Sequence, residues 1–356
     1  MAFEDRVREL AGDIIPADGE AMAAARERHL SLTKPPGSLG RVEEIGVRLA
    51  GISGEAMPPV PDSPAVVVCA GDHGVLAQGV SPWPREVTAS MAANFLAGGA
   101  AVNALAKTVG ARVSVLDVGV AGALPDHPSL RSAKIRPGTG DLSETLAMDR
   151  EEAARAVMAG AHLAEELIES GGANLLVTGD MGIGNTTPAA CMIAAFTGSP
   201  AAEVTGRGTG IDDETLSLKT RVVEKALKLH APDAGDPLGV LAAVGGLEHA
   251  AICGIILGGA VSGIPVLLDG VVSDAAALAA RALAPESGGY MFAGHLSSEP
   301  GAGVSLEALG LDPILDLGMR LGEGTGGLLA VPVLQGAARV LSEMATFDEA
   351  GIEGST

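Results

Sequence analysis

The sequence predicts an α/β protein: a doubly wound, mostly parallel sheet with helices on both faces. Three observations carry the sheet expectation. Short β-branched apolar runs alternate with longer helix-patterned stretches along most of the chain, as in sheets whose strands are joined by crossover helices. Those runs lack the polar alternation of a half-exposed antiparallel strand, so both of their faces should be buried. Polar and glycine-rich segments follow them directly, where open α/β sheets bind ligands.

The first 55 residues are helical and charged. "ADGEAMAAARERHLSLT" has a helical period, "KPPGSLG" (34–40) breaks the chain, and "SLGRVEEIGVRLAG" restarts a helix with Ser38 as its expected N-cap. "AVVVCAGDHGV" then reads as a strand ending in a turn. "REVTASMAANFLAGGAAVNALAKTVG" reads as an interrupted helix and "ARVSVLDVGV" as a second strand. Helix is expected in "DREEAARAVMAGAHLAEELIES", strand in "NLLVTGD", and helices in "PAACMIAAFTG" and "DDETLSLKTRVVEKALKLH". Paired apolar helices over 237–261, the strand "IPVLLDG", the helix "DAAALAARALA", a strand-like "PILDLGM" and a final apolar helix complete the reading. Five loops should then meet at one pocket: "GDHG", "DVG", "GDMGIGNTT", "DG" and "GEGTG".

Composition narrows the function classes. Of 356 residues 47% are hydrophobic but only 2% aromatic, so the core is built from Ala, Val, Leu and Ile. A formal net charge of −21 argues against nucleic-acid or anionic-membrane partners, which need a basic footprint. The uncharged run from Ala250 to Leu268 is long enough to span a bilayer, but Gly258-Gly259 and "SGIP" interrupt it. A buried helix, a turn and a buried strand fit it better. Cys69, Cys191 and Cys253 lie far apart in apolar runs and read as buried reduced thiols. No CxxC, HxxxH or HExxH spacing reads as a metal site. The start lacks the pattern of a secretory signal, and a cytoplasmic location is expected.

Several segments could carry chemistry. "GDMGIGNTTP" (179–188) enters a helix with Pro188 in its first turn. Its amides suit a phosphate, or the segment is only a tight strand-to-helix turn; the Walker spacing is absent. "GEGTGG" (322–327) matches the dinucleotide pattern formally, but no strand-ending acid stands about 20 residues on. Ser297 and Ser298 precede a helix start, where serines cap or bind anions. Lys219 lies on an amphipathic helix, normally a solvated position, and His73 in "GDHG" fits a structural histidine bonded to backbone better than an acid–base group. Glu323 differs from these. It is a lone carboxylate between glycines with apolar flanks, so poor hydration should raise its pKa toward the range of a general base; an exposed loop acid is the alternative.

Eight motifs occur together and in order: "KPPGSLGR", "AGDHGV" with "SPWPREVT", "NFLAGGAAVNALA", "GDMGIGNTTPAA", "GRGTGID", "GHLSSEPG", "LDLGMRLGEGTGGLLA" and "MATFDEAG". Over about residues 30–350 the chain resembles the nicotinate-nucleotide–dimethylbenzimidazole phosphoribosyltransferases. The resemblance implies a large α/β domain over 61–329, a helical domain from 1–60 with 330–356, and a homodimer. It implies transfer of the 5-phosphoribosyl group of nicotinate mononucleotide to 5,6-dimethylbenzimidazole, giving α-ribazole 5′-phosphate and nicotinate, a step of cobalamin biosynthesis. The leaving group is already a cationic pyridinium, so neither metal nor cofactor is expected.

Carried onto this sequence, Glu323 becomes the general base and Asp180 a second catalytic carboxylate. Ser81, Ser90, Leu321 and Gly322 would border the base, and Gly182, Lys219, Ser297, Ser298 and Gly326 would hold phosphate and ribose. Asp180 stands where many members carry Glu, and Ser90 where many carry Gln. The first shortens a carboxylate's reach; the second should shift the choice of base. Rival classes are a dinucleotide-dependent oxidoreductase and a silent binder of nucleotides.

Overall fold

The structure is a computed structural model that describes residues 2–352. In chain order the helices and strands are α1 (Phe3–Gly12), α2 (Gly19–Ser31), α3 (Arg41–Ser53), β1 (Pro64–Gly71), α4 (Glu86–Leu96), α5 (Ala101–Val109), β2 (Arg112–Gly119) and β3 (Leu130–Ser132). They continue with α6 (Arg150–Glu169), β4 (Leu175–Met181), α7 (Thr186–Thr197), α8 (Ala201–Val204), α9 (Asp213–His230), α10 (Pro237–Val244), α11 (Leu247–Val261) and β5 (Val266–Leu268). The last are α12 (Val271–Leu283), β6 (Met291–Ala293), α13 (Pro300–Leu309), α14 (Thr325–Glu343) and α15 (Phe347–Ala350).

The six strands form one sheet in the order β3-β2-β1-β4-β5-β6, and every neighbouring pair is parallel. Every residue of β1 is buried, as its unbroken apolar run requires. Successive strands step outward on one side of β1 and then, from β4, on the other. The crevice at this reversal, between the carboxyl ends of β1 and β4, is where such sheets take ligands.

Residues 247–260 of α11 are buried on all sides, so the long uncharged run is a core helix followed by a turn and β5. It lies against α6 so closely that a Cβ on Gly160 would overlap the Ala251 carbonyl, and one on Gly254 the Val157 carbonyl. Among the described residues one stretch, 86–109, is long and apolar enough to cross a bilayer. It is broken between α4 and α5. The three cysteines are buried and unpaired.

Four readings need correction. Ser38 does not cap α3, which begins at Arg41 behind Gly40, because the "PPG" turn folds back through a Gly40 N–H to Gly37 carbonyl bond of 3.0 Å. Residues 313–319 form no strand; only Leu315 bridges, to His295. The outer strands β3 and β6 were not legible, since three residues are too few to show a period. His73 faces a buried carboxylate and its ring makes no bond to backbone, as described below.

The chain ends do meet. Ala25 of α2, Val47 and Ala50 of α3, and Leu341 of α14 form a second buried cluster. Leu32 bridges Thr346, and the Thr33 N–H donates to the Ala345 carbonyl at 3.0 Å. A division at residue 330 falls inside the continuous helix α14. Residues 353–356 of the expected terminal unit lie outside the described residues.

Candidate active site

A cavity of about 520 Å³ opens at the carboxyl ends of the central strands. That is ample for a nucleotide-sized ligand. Its apolar lining includes Val80, Trp83, Val87, Met91 and Leu321. Its polar lining includes Asp180, Asn185, Thr186, Lys219, Ser297, Glu299, Arg320 and Glu323.

Glu323 sits on unusual backbone. Gly322, Glu323 and Gly324 have φ of +84°, +67° and +91° in succession. Glycines reach this left-handed region freely; a glutamate there costs of order 1–3 kcal/mol and persists only where its surroundings over-determine it. The surroundings do. The Thr325 hydroxyl and N–H both donate to the Gly322 carbonyl, at 2.8 and 3.2 Å. The loop presses on β4 so tightly that a Cβ on Gly179 would meet the Glu323 carbonyl at 2.6 Å. Glu323 is 5% exposed, and its Oε2 accepts the Val102 N–H at 3.3 Å. Burial pushes the carboxyl above its ordinary pKa; the Val102 amide opposes this and the Asp269 charge adds to it.

Asp180 is the penultimate residue of β4, not a loop residue. Its Oδ2 accepts from the Asn185 side-chain amide at 2.6 Å. Its carboxylate lies against Gly322, where a Cβ would stand 3.2 Å from Oδ1. Burial, then the Asp269 and Glu248 charges, raise its pKa well above the ordinary value.

The cationic part of the cavity is built around Lys219. Far from being solvated, this helix-α9 lysine is 1% exposed. Its ammonium donates to Thr186 Oγ1 at 2.7 Å and to the Gly206 carbonyl at 2.9 Å. Desolvation lowers its pKa to about 8. Thr186 opens α7, whose first turn has no side-chain cap because the Asn185 amide is turned to Asp180. A buried lysine beside a helix start makes this side of the cavity locally positive. Arg320 reaches the Gly208 carbonyl beside it.

Comparison with known proteins agrees with this layout. Residues 14–352 match the model of a family described as phosphoribosyltransferase. A nicotinate-nucleotide–dimethylbenzimidazole phosphoribosyltransferase of Salinispora tropica is 58% identical over 351 residues, covering 95% of this chain and 96% of that one. The Chloroflexus aggregans enzyme of the same name is 55% identical over 95% of each chain. The crystal structure of CobT from Thermus thermophilus superposes with a TM-score of 0.91 at 52% identity, covering 94% of this chain and all of that one. The chain belongs to the nicotinate-nucleotide–dimethylbenzimidazole phosphoribosyltransferase family.

The residues that resemblance to this phosphoribosyltransferase family singles out are not all gathered in the cavity. Ser81, Asp180, Gly182, Lys219, Ser297, Leu321, Gly322 and Glu323 line it. Ser90 does not: it is exposed on α4 and its hydroxyl turns back to the Glu86 carbonyl at 3.0 Å. Val87 and Met91 line the cavity from that helix instead. Ser298 is also exposed, with its amide bonded to the Met319 carbonyl. Gly326 is buried beneath the loop, and its N–H is given to Asp269 at 2.7 Å rather than to the cavity.

Nor do all five expected loops converge. The segments after β4 and β5 and the Glu323 loop reach the cavity, but "DVG" after β2 does not. His73 of "GDHG" stands behind Gly182, with Nε2 2.9 Å from Glu248 Oε1. His249 Nδ1 lies 2.7 Å from the same oxygen. The His73 contact is at hydrogen-bond distance but without hydrogen-bond alignment. This buried pairing holds Glu248 ionised well below the usual carboxylate range. Sequence reasoning did not find Glu248, Glu299 or Asp269. Their only sequence signal was an acid in an apolar run or at a helix start, and helix starts are usually acidic anyway.

Proposed function

We propose that the chain transfers the 5-phosphoribosyl group of nicotinate mononucleotide to 5,6-dimethylbenzimidazole, releasing nicotinate and α-ribazole 5′-phosphate. The observation that carries the reading is Glu323, a buried, pKa-raised carboxylate held on strained backbone at the wall of the cavity. One benzimidazole nitrogen forms the new bond to the ribose C1′ as the bond from C1′ to the pyridinium nitrogen breaks. That bond's electron pair neutralises the departing ring. The proton on the other benzimidazole nitrogen then goes to Glu323, leaving the product ring neutral. Lys219 and the α7 start hold the 5′-phosphate in this reading, and the apolar wall with Trp83 and Leu321 accepts the flat base.

Asp180 is the second carboxylate of the proposal, one methylene shorter than glutamate and already engaged by Asn185. With so much acid nearby, the anionic donor depends on the local positive field of Lys219, Arg320 and helix amides. A homodimer and a helical unit from both chain ends belong to the same proposal; light scattering of the full chain reads the first. The deciding experiment is chromatographic. Purified chain with nicotinate mononucleotide and a panel of benzimidazoles, purines and phenols should yield a ribotide and stoichiometric nicotinate. No ribotide with any base would reject the reading.

A further inference from the structure

Asp269 follows β5 and is fully buried, yet it does not line the cavity. Both of its oxygens are occupied by backbone of the Glu323 loop. Oδ2 accepts from the Gly324 N–H at 3.0 Å, and Oδ1 accepts from Gly326 and Gly327 at 2.7 and 3.2 Å. These are the amides of the α14 start, whose N-cap is a glycine with no side chain to offer. One remote carboxylate therefore does the capping that a local Ser or Asp does elsewhere. Its own backbone is fixed in turn, because Thr178 Oγ1 accepts the Asp269 N–H at 3.3 Å and donates to Ser273 Oγ at 2.9 Å. The fit leaves no slack: a Cβ on Gly326 would overlap the His295 ring, and one on Gly327 would stand 2.6 Å from Val177 Cγ1.

We propose that Asp269 is a positioning residue for the transfer reaction, holding Glu323 in its left-handed conformation by clamping the amides that follow it. The inference rests on the reading of Glu323 as the base. The direction of the bonds carries it. The first clamped amide belongs to the residue immediately after Glu323, so releasing it frees the strained backbone position of this loop. The negative charge also suits the positive end of α14, which an amide side chain would serve poorly. Asp269 cannot take the substrate's proton itself, having no exposed oxygen.

A double-mutant cycle tests this. Asp269→Asn keeps the shape but sets an NH₂ against a backbone N–H. It should lower kcat about ten- to hundred-fold, the scale of a misplaced group, while the KM values of donor and base stay within about twofold. In a Glu323→Gln background the same change should have almost no further effect on kcat. If the two losses multiply, or if Asp269→Asn alone leaves kcat unchanged, the proposal is overturned. A Glu323→Gln enzyme of normal kcat would instead reject the reading of Glu323 as the base, a separate outcome. If Asp269→Asn does not fold, Thr178→Val replaces it in the cycle. A kcat loss that disappears with Glu323→Gln supports the clamp; no loss, or one that persists, overturns it.

Discussion

Two glycine loops of the cavity enter helices, and they use their helix starts in opposite ways. In the loop before α7 the N-cap asparagine turns its amide to Asp180, and no side chain caps the first turn. Lys219 stands beside it on Thr186. In the loop before α14 the amides are taken up by a buried carboxylate, Asp269. At the first start the Thr187 N–H already donates to the Gly184 carbonyl at 3.0 Å and Pro188 has none, so the positive charge there is that of Lys219; the second start is taken up by Asp269 and presents Glu323. What a glycine-rich helix entry can hold thus depends on the charge that the rest of the fold sets beside it, a lysine at one and a carboxylate at the other. "GDMGIGNTT" and "GEGTGG" look alike in sequence. The difference lies in remote residues: Lys219 is 33 positions from Thr186, and Asp269 is 55 from Gly324.

The contrast breaks first at Glu323. Glu323→Gln should lower kcat by roughly 10²–10⁴, the worth of a positioned proton acceptor, with both substrates still binding. The carboxylate must be ionised to act. Because burial raises its pKa, kcat of the parent enzyme should fall as pH drops through a value above the free one of about 4.3. A near-normal Glu323→Gln rate would shift attention to Asp180.

Lys219→Ala tests the cationic side of the cavity. It should cost a charge-assisted contact of roughly 1.5–3 kcal/mol, about ten- to hundred-fold in the donor's KM, and leave the KM of the base in place. The lysine holds phosphate only when protonated. With its pKa lowered to about 8, kcat/KM for the donor should decline as pH rises through that value, well below the range of an ordinary lysine. An unchanged donor KM in the variant would detach Lys219 from the phosphate.

Strain in the closed loop gives a smaller effect of opposite sign. Glu323→Gly should stabilise the fold by roughly 1 kcal/mol while abolishing the proton transfer, since glycine adopts positive φ without penalty. A higher midpoint in urea reads this; a lower one would show that the Glu323 contacts outweigh the strain. Ser90→Ala should do least. The side chain is exposed and outside the cavity lining, so both KM values should change by less than about twofold, some 0.5 kcal/mol. A reordering of base preference would place Ser90 at the base after all.

Much of this protein was determined by sequence alone. The all-apolar run of β1, the helical periods of α6 and α9 and the uncharged span of α11 each state their own environment, because burial on both faces or one is written in local periodicity. Glu323 was legible too, as a carboxylate flanked by glycines and apolar residues. Only the tertiary structure decided the partnerships. Lys219 carries the pattern of a solvated helix face, and only the packing of α9 against the α7 start buries it. Asp269 was visible only as part of a strand-end "DG" and Glu248 not at all; the amide that Asp269 accepts belongs to Gly324, and the His73 ring reaches Glu248 from a distant strand end. Ser90 and Ser298 show the converse, with favourable motif positions turned outward by one rotation of helix or loop. Periodicity records how far a residue lies from water, but which groups meet there depends on chain crossings that no local stretch contains.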